Sequence, residues 1–330
     1  MSHQRWHIIE KIQVEAAAVA ALAAMYFLFW QWVKPSDVDG AVVFFPLGAF
    51  KEFAAFVAAV WLLAAGVALL TTSARPQGAL LAALVGAGGV SLRSQPMRLL
   101  LMRFEPPGSL LGPLMLELLA MVVVLMGAMA IIQLVRRAVA RVRPGWVRPD
   151  GADSPAAGPQ RVNVPLFLLS GLWHPQALLR LPAGGRQARQ SAGDVVVACL
   201  ASLGLTVLIG LVLMKVILFD TSRGQILFSV AAAFFVGAAV ATYFFPVNSP
   251  LPCWIAPVLL GLLFYAKAAT VGDAGVLTWT RVDAFTHILP VDWLAAGCGG
   301  AVGGYWLACR VHEAKHAEGA SKAAAQGART

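Results

Sequence analysis

Four histidines lie at a spacing that suits metal binding. His3 and His7 stand four residues apart near the N-terminus, and His312 and His316 stand four apart near the C-terminus. Side chains at positions i and i+4 share one face of a helix, so each pair could present two imidazoles to one ion. If both helices lie beside the membrane on the same side, these residues predict a site for zinc or another transition metal.

The sequence His-Glu-Ala-Lys-His at 312–316 resembles the H-E-x-x-H motif of zinc metalloproteases, in which the glutamate acts as the base. Such a site needs a third protein ligand, and the residues after His316 are mostly Ala, Gly, Ser and Lys. Histidine-box enzymes such as fatty-acid desaturases need more histidines than the 6 present. The alternative is a charged helix end, where His and Lys complement the helix dipole. That alternative is favoured, and no cofactor is predicted beyond the metal hypothesis.

Two charged residues are predicted to lie inside apolar stretches. Glu117 falls within residues 110–135, and Lys215 falls near the end of a later stretch. A charge at membrane depth costs roughly 2.5 kcal/mol or more, so it usually faces the bundle interior or a wet cavity. Lys215 can extend its ammonium to the interface, whereas the shorter Glu117 needs a partner. Lys215, Arg98 or Arg103 is the expected partner, in a buried ion pair or in a pocket open to the outer leaflet.

Three arginines alternate with apolar residues around a proline that ends an apolar stretch. They are Arg93, Arg98 and Arg103, around Pro96. A guanidinium binds phosphate through a two-pronged fork, so a short broken helix here would suit an anionic lipid. Alternatively, the arginines anchor an interfacial helix to ordinary headgroups. The stretch 78–96 is accordingly either a full span or a re-entrant element.

Membrane helices are needed to position these residues. The chain has 330 residues, of which 59% are hydrophobic and only 12% charged. Soluble domains carry about 25% charged residues, so this chain needs lipid to cover it. A helix needs about 20 apolar residues to cross the hydrocarbon core. The sequence therefore predicts an all-α, polytopic membrane bundle of about eight spans, at 14–33, 53–72, 78–96, 110–135, 195–219, 225–245, 251–269 and 288–309.

Basic residues give the predicted orientation. The formal net charge is +9, and Lys and Arg concentrate in the N-terminal tail, a central loop at 136–193 and a tail at 311–330. Positive loops stay in the cytoplasm, which places both termini there and the protein in the inner membrane. Nucleic acid is not expected as a partner, because no nucleic-acid-binding motif is recognisable.

The central loop divides the chain into two expected four-helix bundles, 1–135 and 194–310. Within the loop, the apolar segment 162–182 is predicted to lie along the inner membrane surface. Prolines open the fourth and the eighth stretch, at Pro113 and Pro290, in similar surroundings. This similarity leaves open whether the two bundles are a parallel duplication.

Glycines mark a flat face on the last predicted helix. Two G-x-x-x-G patterns overlap within 297–304. Small residues at this spacing let two helices approach closely. A helix of this chain, a protein partner or a second copy of the chain could make that approach, and a partner or second copy is expected at the glycine face 297–304.

Three classes of function follow from these features. The first is a non-catalytic subunit or scaffold of a membrane complex, and the sequence favours it. The second is a transporter or lipid-handling protein that uses Glu117, Lys215 and the arginines near Pro96. The third is a membrane metalloenzyme built on residues 312–316.

Overall fold

The computed structural model describes residues 3–35, 40–101, 108–143, 192–245, 247, 249–272 and 283–312, and these residues form helices and no strand. The predicted interfacial segment 162–182 and most of the predicted tail lie outside them. For residues 3–8, 98, 99, 108, 192–195, 271 and 272, the backbone alone is described.

The helices follow one another along the chain with short connections. Helix α1, His3–Ala23, is continued by a π-helical turn at Ala24–Phe29 and by Trp30–Val33; α2 is Phe50–Leu70, α3 is Pro76–Arg93, α4 is Met97–Leu101, α5 is Gly108–Val142, α6 is Ala192–Ile217, α7 is Arg223–Phe244 and α8 is Leu251–Gly272. A 3-10 turn at Ala284–His287 leads to α9, which begins at Pro290–Asp292, passes through a π-helical turn at Trp293–Cys298 and continues over 299–312.

Six helices of the described chain are long and apolar enough to cross a membrane: Ile9–Val33, Phe50–Leu70, Ser109–Val142, Val196–Ile217, Arg223–Phe244 and Leu251–Thr270. This number is smaller than the predicted eight. Helices also occupy the other two predicted places, as α3 and α9, but both are rich in glycine, which adds little apolar surface. The lengths also differ, since α5 continues to Val142 and takes in residues predicted to begin the central loop.

Polarity is distributed as expected for a protein surrounded by lipid. Glu117 is fully buried, whereas its neighbours Leu116 and Leu119 are 59% and 48% exposed. A water-soluble protein does not expose large contiguous apolar faces of this kind. The apolar helices therefore indicate a multi-pass membrane protein.

Side-chain contacts define two ends of the bundle. At the first, the Glu117 end, Glu117 near the start of α5 binds the backbone of Phe44 and Phe45, which precede α2. At the second, the Arg136 end, Arg136 late in α5 binds the carbonyl of Thr71, which follows α2. Helices α2 and α5 therefore run in the same direction, and α3 carries the chain back between the two ends.

Helix α9 also runs from one end to the other. Near its start, Asp292 pairs with Arg223, whose guanidinium also binds the carbonyl of Ser91 late in α3. Further along, Arg310 pairs with Glu10 of α1 at an N–O distance of 3.0 Å. The late part of α3 lies at the Glu117 end and Glu10 binds the residue that precedes α3, so α9 traverses the bundle.

Glycines let α3 lie against α1 with almost no space between the backbones. A side-chain carbon added at Gly86 would come within 2.8 Å of Ala21. One added at Gly89 would come within 2.9 Å of the backbone nitrogen of Tyr26, in the π-helical turn of α1. These positions accept no larger residue without a shift of one helix.

The glycine face of α9 is filled within this chain. Side-chain carbons added at Gly300 and Gly304 would overlap the backbone carbonyl oxygens of Ala231 and Phe235 on α7. The sequence correctly predicted a close helix contact there, but the neighbouring helix is α7. The glycine positions 300 and 304 therefore contact residues of this chain.

Candidate functional site: buried polar groups at two ends of the bundle

Residues 40–49, here called segment 40–49, enter the bundle at the Glu117 end. Four consecutive apolar residues, 41–44, are each 1% exposed, although they belong to no helix. The aromatic ring of Phe44 packs against Phe53 and Phe56 of α2, with ring centroids 5.5 and 5.6 Å away. Buried backbone outside helices needs other hydrogen-bond partners, and side chains of the bundle supply them.

Glu117 supplies two of these bonds. Its Oε2 accepts the backbone N–H of Phe44 at 2.8 Å and that of Phe45 at 3.0 Å. Ser94 Oγ accepts a third N–H, from Val42, at 2.8 Å. Successive backbone N–H groups form a site that suits an acceptor oxygen, and here that oxygen belongs to a side chain of the same chain.

The described contacts of Glu117 do not include the cations that the sequence suggested. Lys215 is exposed on α6 and has no described contact with Glu117. The side chains of Arg98 and Arg103 lie outside the described residues. Among the described residues, the binding partners of Glu117 are backbone amides.

The second oxygen of Glu117 has no such partner. Among the described residues, Oε1 is buried and makes no hydrogen bond. Tyr265 of α8 lies close enough to interact electrostatically with Glu117 and with Asp292, while its hydroxyl donates to the carbonyl of Ile288. A buried oxygen without a donor is costly, so this position is a poorly satisfied polar group at the Glu117 end.

A buried ion pair joins α7 to α9 beside this cluster. Arg223 contacts both carboxylate oxygens of Asp292, at 2.6 and 2.7 Å, and Asp292 is fully buried. Asp292 Oδ2 also accepts the backbone N–H of Leu289 at 3.0 Å. The two parallel contacts fix both the distance and the orientation of the helix ends. Sequence reasoning missed Asp292, although it is a lone acid in an apolar stretch, which is the signal that identified Glu117.

Arg93, at the end of α3, contacts the first helix of the bundle, α1, and its continuation. Its NH1 donates to the carbonyl of Tyr26 at 3.0 Å, and its guanidinium lies over the rings of Tyr26 and Trp30. A π-helical turn displaces backbone carbonyls from their usual donors, and a guanidinium can supply the missing donor. Arg93 thus holds the end of α3 to α1.

Arg136 is buried at the opposite end rather than lying in the basic loop. It is 4% exposed and donates to the carbonyls of Thr71, Thr72 and Ala74. The last carbonyls of a helix lack intrahelical donors, and a cation there also complements the helix dipole. Arg136 therefore closes the end of α2 and the turn that follows it.

The predicted metal residues are only partly described. His312 is the last described residue of α9, and its ring stacks on Tyr243 of α7 with the centroids 5.4 Å apart. The side chains of His3 and His7, and all of His316, lie outside the described residues. Within the part of the chain that the structure describes, no three His, Cys, Asp or Glu side chains are grouped so that they could hold a metal ion.

Comparison with known proteins gives no relative for this chain. No known family, no curated protein and no solved structure matches it. Its function must therefore be argued from its own residues.

Proposed function

We propose that this chain is a non-catalytic subunit or scaffold of a membrane complex. The proposal rests on one observation, namely which groups the buried charged side chains bind. Glu117 and Arg136 bind backbone groups of the chain itself, and Asp292 binds Arg223. Charged groups on a transport pathway face a cavity that a substrate can enter. Charges bound to the chain's own backbone hold its shape instead, as a scaffold requires.

We also propose eight spans, with both termini in the cytoplasm of an inner membrane. Support comes from α3 and α9, which each connect the Glu117 end with the Arg136 end. An 18-residue helix such as α3 rises about 27 Å, close to the thickness of a hydrocarbon core. The positive-inside rule then favours the Arg136 end as the cytoplasmic one.

A partner would bind on the outward apolar faces, because the glycine face is filled. Helix α6 presents such a face, since it is the least buried of the six apolar helices in the described chain and α8 is the most buried. Either lipid or the helix of another subunit could cover that face. Both are compatible with the apolar residues exposed along it, such as Val197, Leu200 and Leu208.

One observation favours a second function, a transporter or lipid-handling protein. The unbonded Oε1 of Glu117 is a position that a proton or a small ligand could occupy. The two functions differ in what they require of this residue. A pathway requires the carboxylate charge, whereas a scaffold requires only an oxygen that accepts the two N–H groups.

Purification of the tagged protein from its native host in a mild detergent tests the proposal. Mass spectrometry of the purified material should show a second protein at a fixed stoichiometric ratio, and a high-salt wash should leave that ratio unchanged. As a matched control, an unrelated tagged membrane protein should not retain the second protein. Recovery of the chain alone, with no second protein and no second copy, would refute the scaffold proposal.

A further inference from the structure

Segment 40–49 is joined to the bundle in a way that differs from the helices around it. Its backbone hydrogen bonds, such as Ala49 N–H to Phe44 at 2.8 Å, stay within the segment or join it to the adjoining start of α2, where Phe53 N–H donates to Ala49 at 3.0 Å. The hydrogen bonds that attach it to elements of the described chain other than α2 go to two side chains, Glu117 and Ser94. Apart from its junction with α2 and the packing of its buried apolar residues, the segment is therefore held to the bundle by hydrogen bonds to only two described side chains.

The segment also contains a glycine with a left-handed backbone conformation, and its tip is exposed. Gly48 has a φ of +64°, a left-handed conformation that glycine adopts without strain. No atom would lie within 4 Å of a side-chain carbon at Gly48, and the adjacent Leu47 is 44% exposed. Behind this tip, Val43 and Phe44 are each 1% exposed. The buried part thus lies next to an open corner.

Glu117 lies directly behind the segment. Its Oε2 holds the amides of Phe44 and Phe45, and its Oε1 has no described partner. Departure of the segment would remove those donors and leave the carboxylate facing the opening. The segment therefore covers the buried acid that it is bound to.

We propose that segment 40–49 is a detachable plug that closes the Glu117 end of the bundle, and that Glu117 and Ser94 are its latch. The latch works through hydrogen-bond acceptance by Glu117, and opening exposes the Glu117 carboxylate to the aqueous side. Such local opening involves the weakest attachments in a fold. The device would operate in a scaffold and in a transporter alike, so the proposal does not depend on the proposed function.

Labelling of an introduced cysteine tests the plug. The reporter is Val43→Cys in a chain whose four native cysteines are replaced by alanine, reconstituted in lipid nanodiscs so that both ends are accessible. Labelling rates with a charged maleimide are compared for the parent chain, Glu117→Gln, Ser94→Ala and Glu117→Leu. A second reporter, Leu47→Cys, measures access to the exposed tip.

The expected rates follow from the acceptors that remain. The parent should label slowly, and Glu117→Gln should behave like it, because the side-chain carbonyl still accepts the two N–H groups. Ser94→Ala should label faster, and Glu117→Leu should label about tenfold faster or more. Labelling at Leu47→Cys should be the same in all four backgrounds.

A matched control separates opening of the plug from loosening of the whole bundle. A chain that retains only native Cys298, which is fully buried in α9, should stay slowly labelled in the Glu117→Leu background. If Cys298 is exposed together with residue 43, the segment is no separate plug and the proposal fails. If Glu117→Leu does not fold, Ser94→Ala decides, and an unchanged rate at residue 43 in that variant overturns the proposal.

Discussion

At the scale of single residues, the sequence identified a buried acid but not its partner. A carboxylate within an apolar stretch is visible in the sequence, and the structure places Glu117 in the interior. Its partners, the backbone amides of Phe44 and Phe45, exist in almost every residue and so leave no pattern in side-chain types. Asp292 could have been found by the same rule, because it too is a lone acid in an apolar stretch.

The pair Arg223–Asp292 should behave as a buried ion pair. Asp292→Ala should lower the unfolding free energy by about 3–5 kcal/mol, because it leaves the guanidinium without its counter-charge. The double variant Arg223→Met/Asp292→Leu should lose less, since no charge remains buried. Unfolding in mixed detergent micelles measures both. A loss in the double variant equal to the sum of the losses in the single variants Arg223→Met and Asp292→Leu would show that the two side chains are not coupled.

At the scale of helices, close packing depends on which glycine faces a backbone. Gly304→Ala should destabilise the bundle by about 1–3 kcal/mol, because the new carbon overlaps the carbonyl of Phe235. Gly299→Ala is the matched control on the same helix, since its carbon would meet Leu84 at an ordinary 3.5 Å. The control should be neutral or slightly stabilised, as alanine favours helices. Equal thermal unfolding of the two variants would contradict the assigned contact.

Adjacent glycines on α3 provide an independent test of its contact with α1. Gly89→Ala should lower the thermal unfolding temperature, because its carbon would come within 3.0 Å of the Leu22 carbonyl and 2.9 Å of the Tyr26 nitrogen. Gly88→Ala has nothing within 4 Å and should leave that temperature unchanged or raise it. A larger loss at Gly88 than at Gly89 would mean that α3 presents a different face to α1.

The sequence predicted which segments are helical far better than where they end. Apolar stretches set the helices, but α5 continues through the basic residues to Val142 because Arg136 is buried against the carbonyls after α2. From the sequence alone, an arginine in a loop cannot be distinguished from an arginine that caps a neighbouring helix, because the position of that helix end is not known. The same limitation applied to the glycine face, whose spacing shows close packing but not the identity of the neighbour.

At the scale of the whole molecule, the side on which the central loop lies distinguishes eight spans from six. If α3 and α9 cross the membrane, residue 154 lies on the same side as both termini. If they do not, the loop lies on the opposite side. Ser154→Cys, in the cysteine-replaced chain, should react with a membrane-impermeant maleimide only after the cells are permeabilised. Labelling in intact cells would contradict the eight-span arrangement.

Composition alone was sufficient to predict the class of protein. With 12% charged residues, the chain cannot cover itself in water, and the helices and their exposed apolar faces agree with that inference. What the protein does was not predictable in the same way, because lipid-facing helices can serve many functions.

Substitution of Glu117 tests most directly the claim that buried charged residues hold the chain's own backbone in place. The thermal unfolding temperature and the free energy of unfolding should be compared for Glu117→Gln and Glu117→Leu in lipid nanodiscs. We predict that Gln stays within about 1 kcal/mol of the parent, whereas Leu loses about 2–6 kcal/mol through two unsatisfied buried N–H groups. Equal losses for Gln and Leu would contradict the account, since they would show that Glu117 acts through its charge.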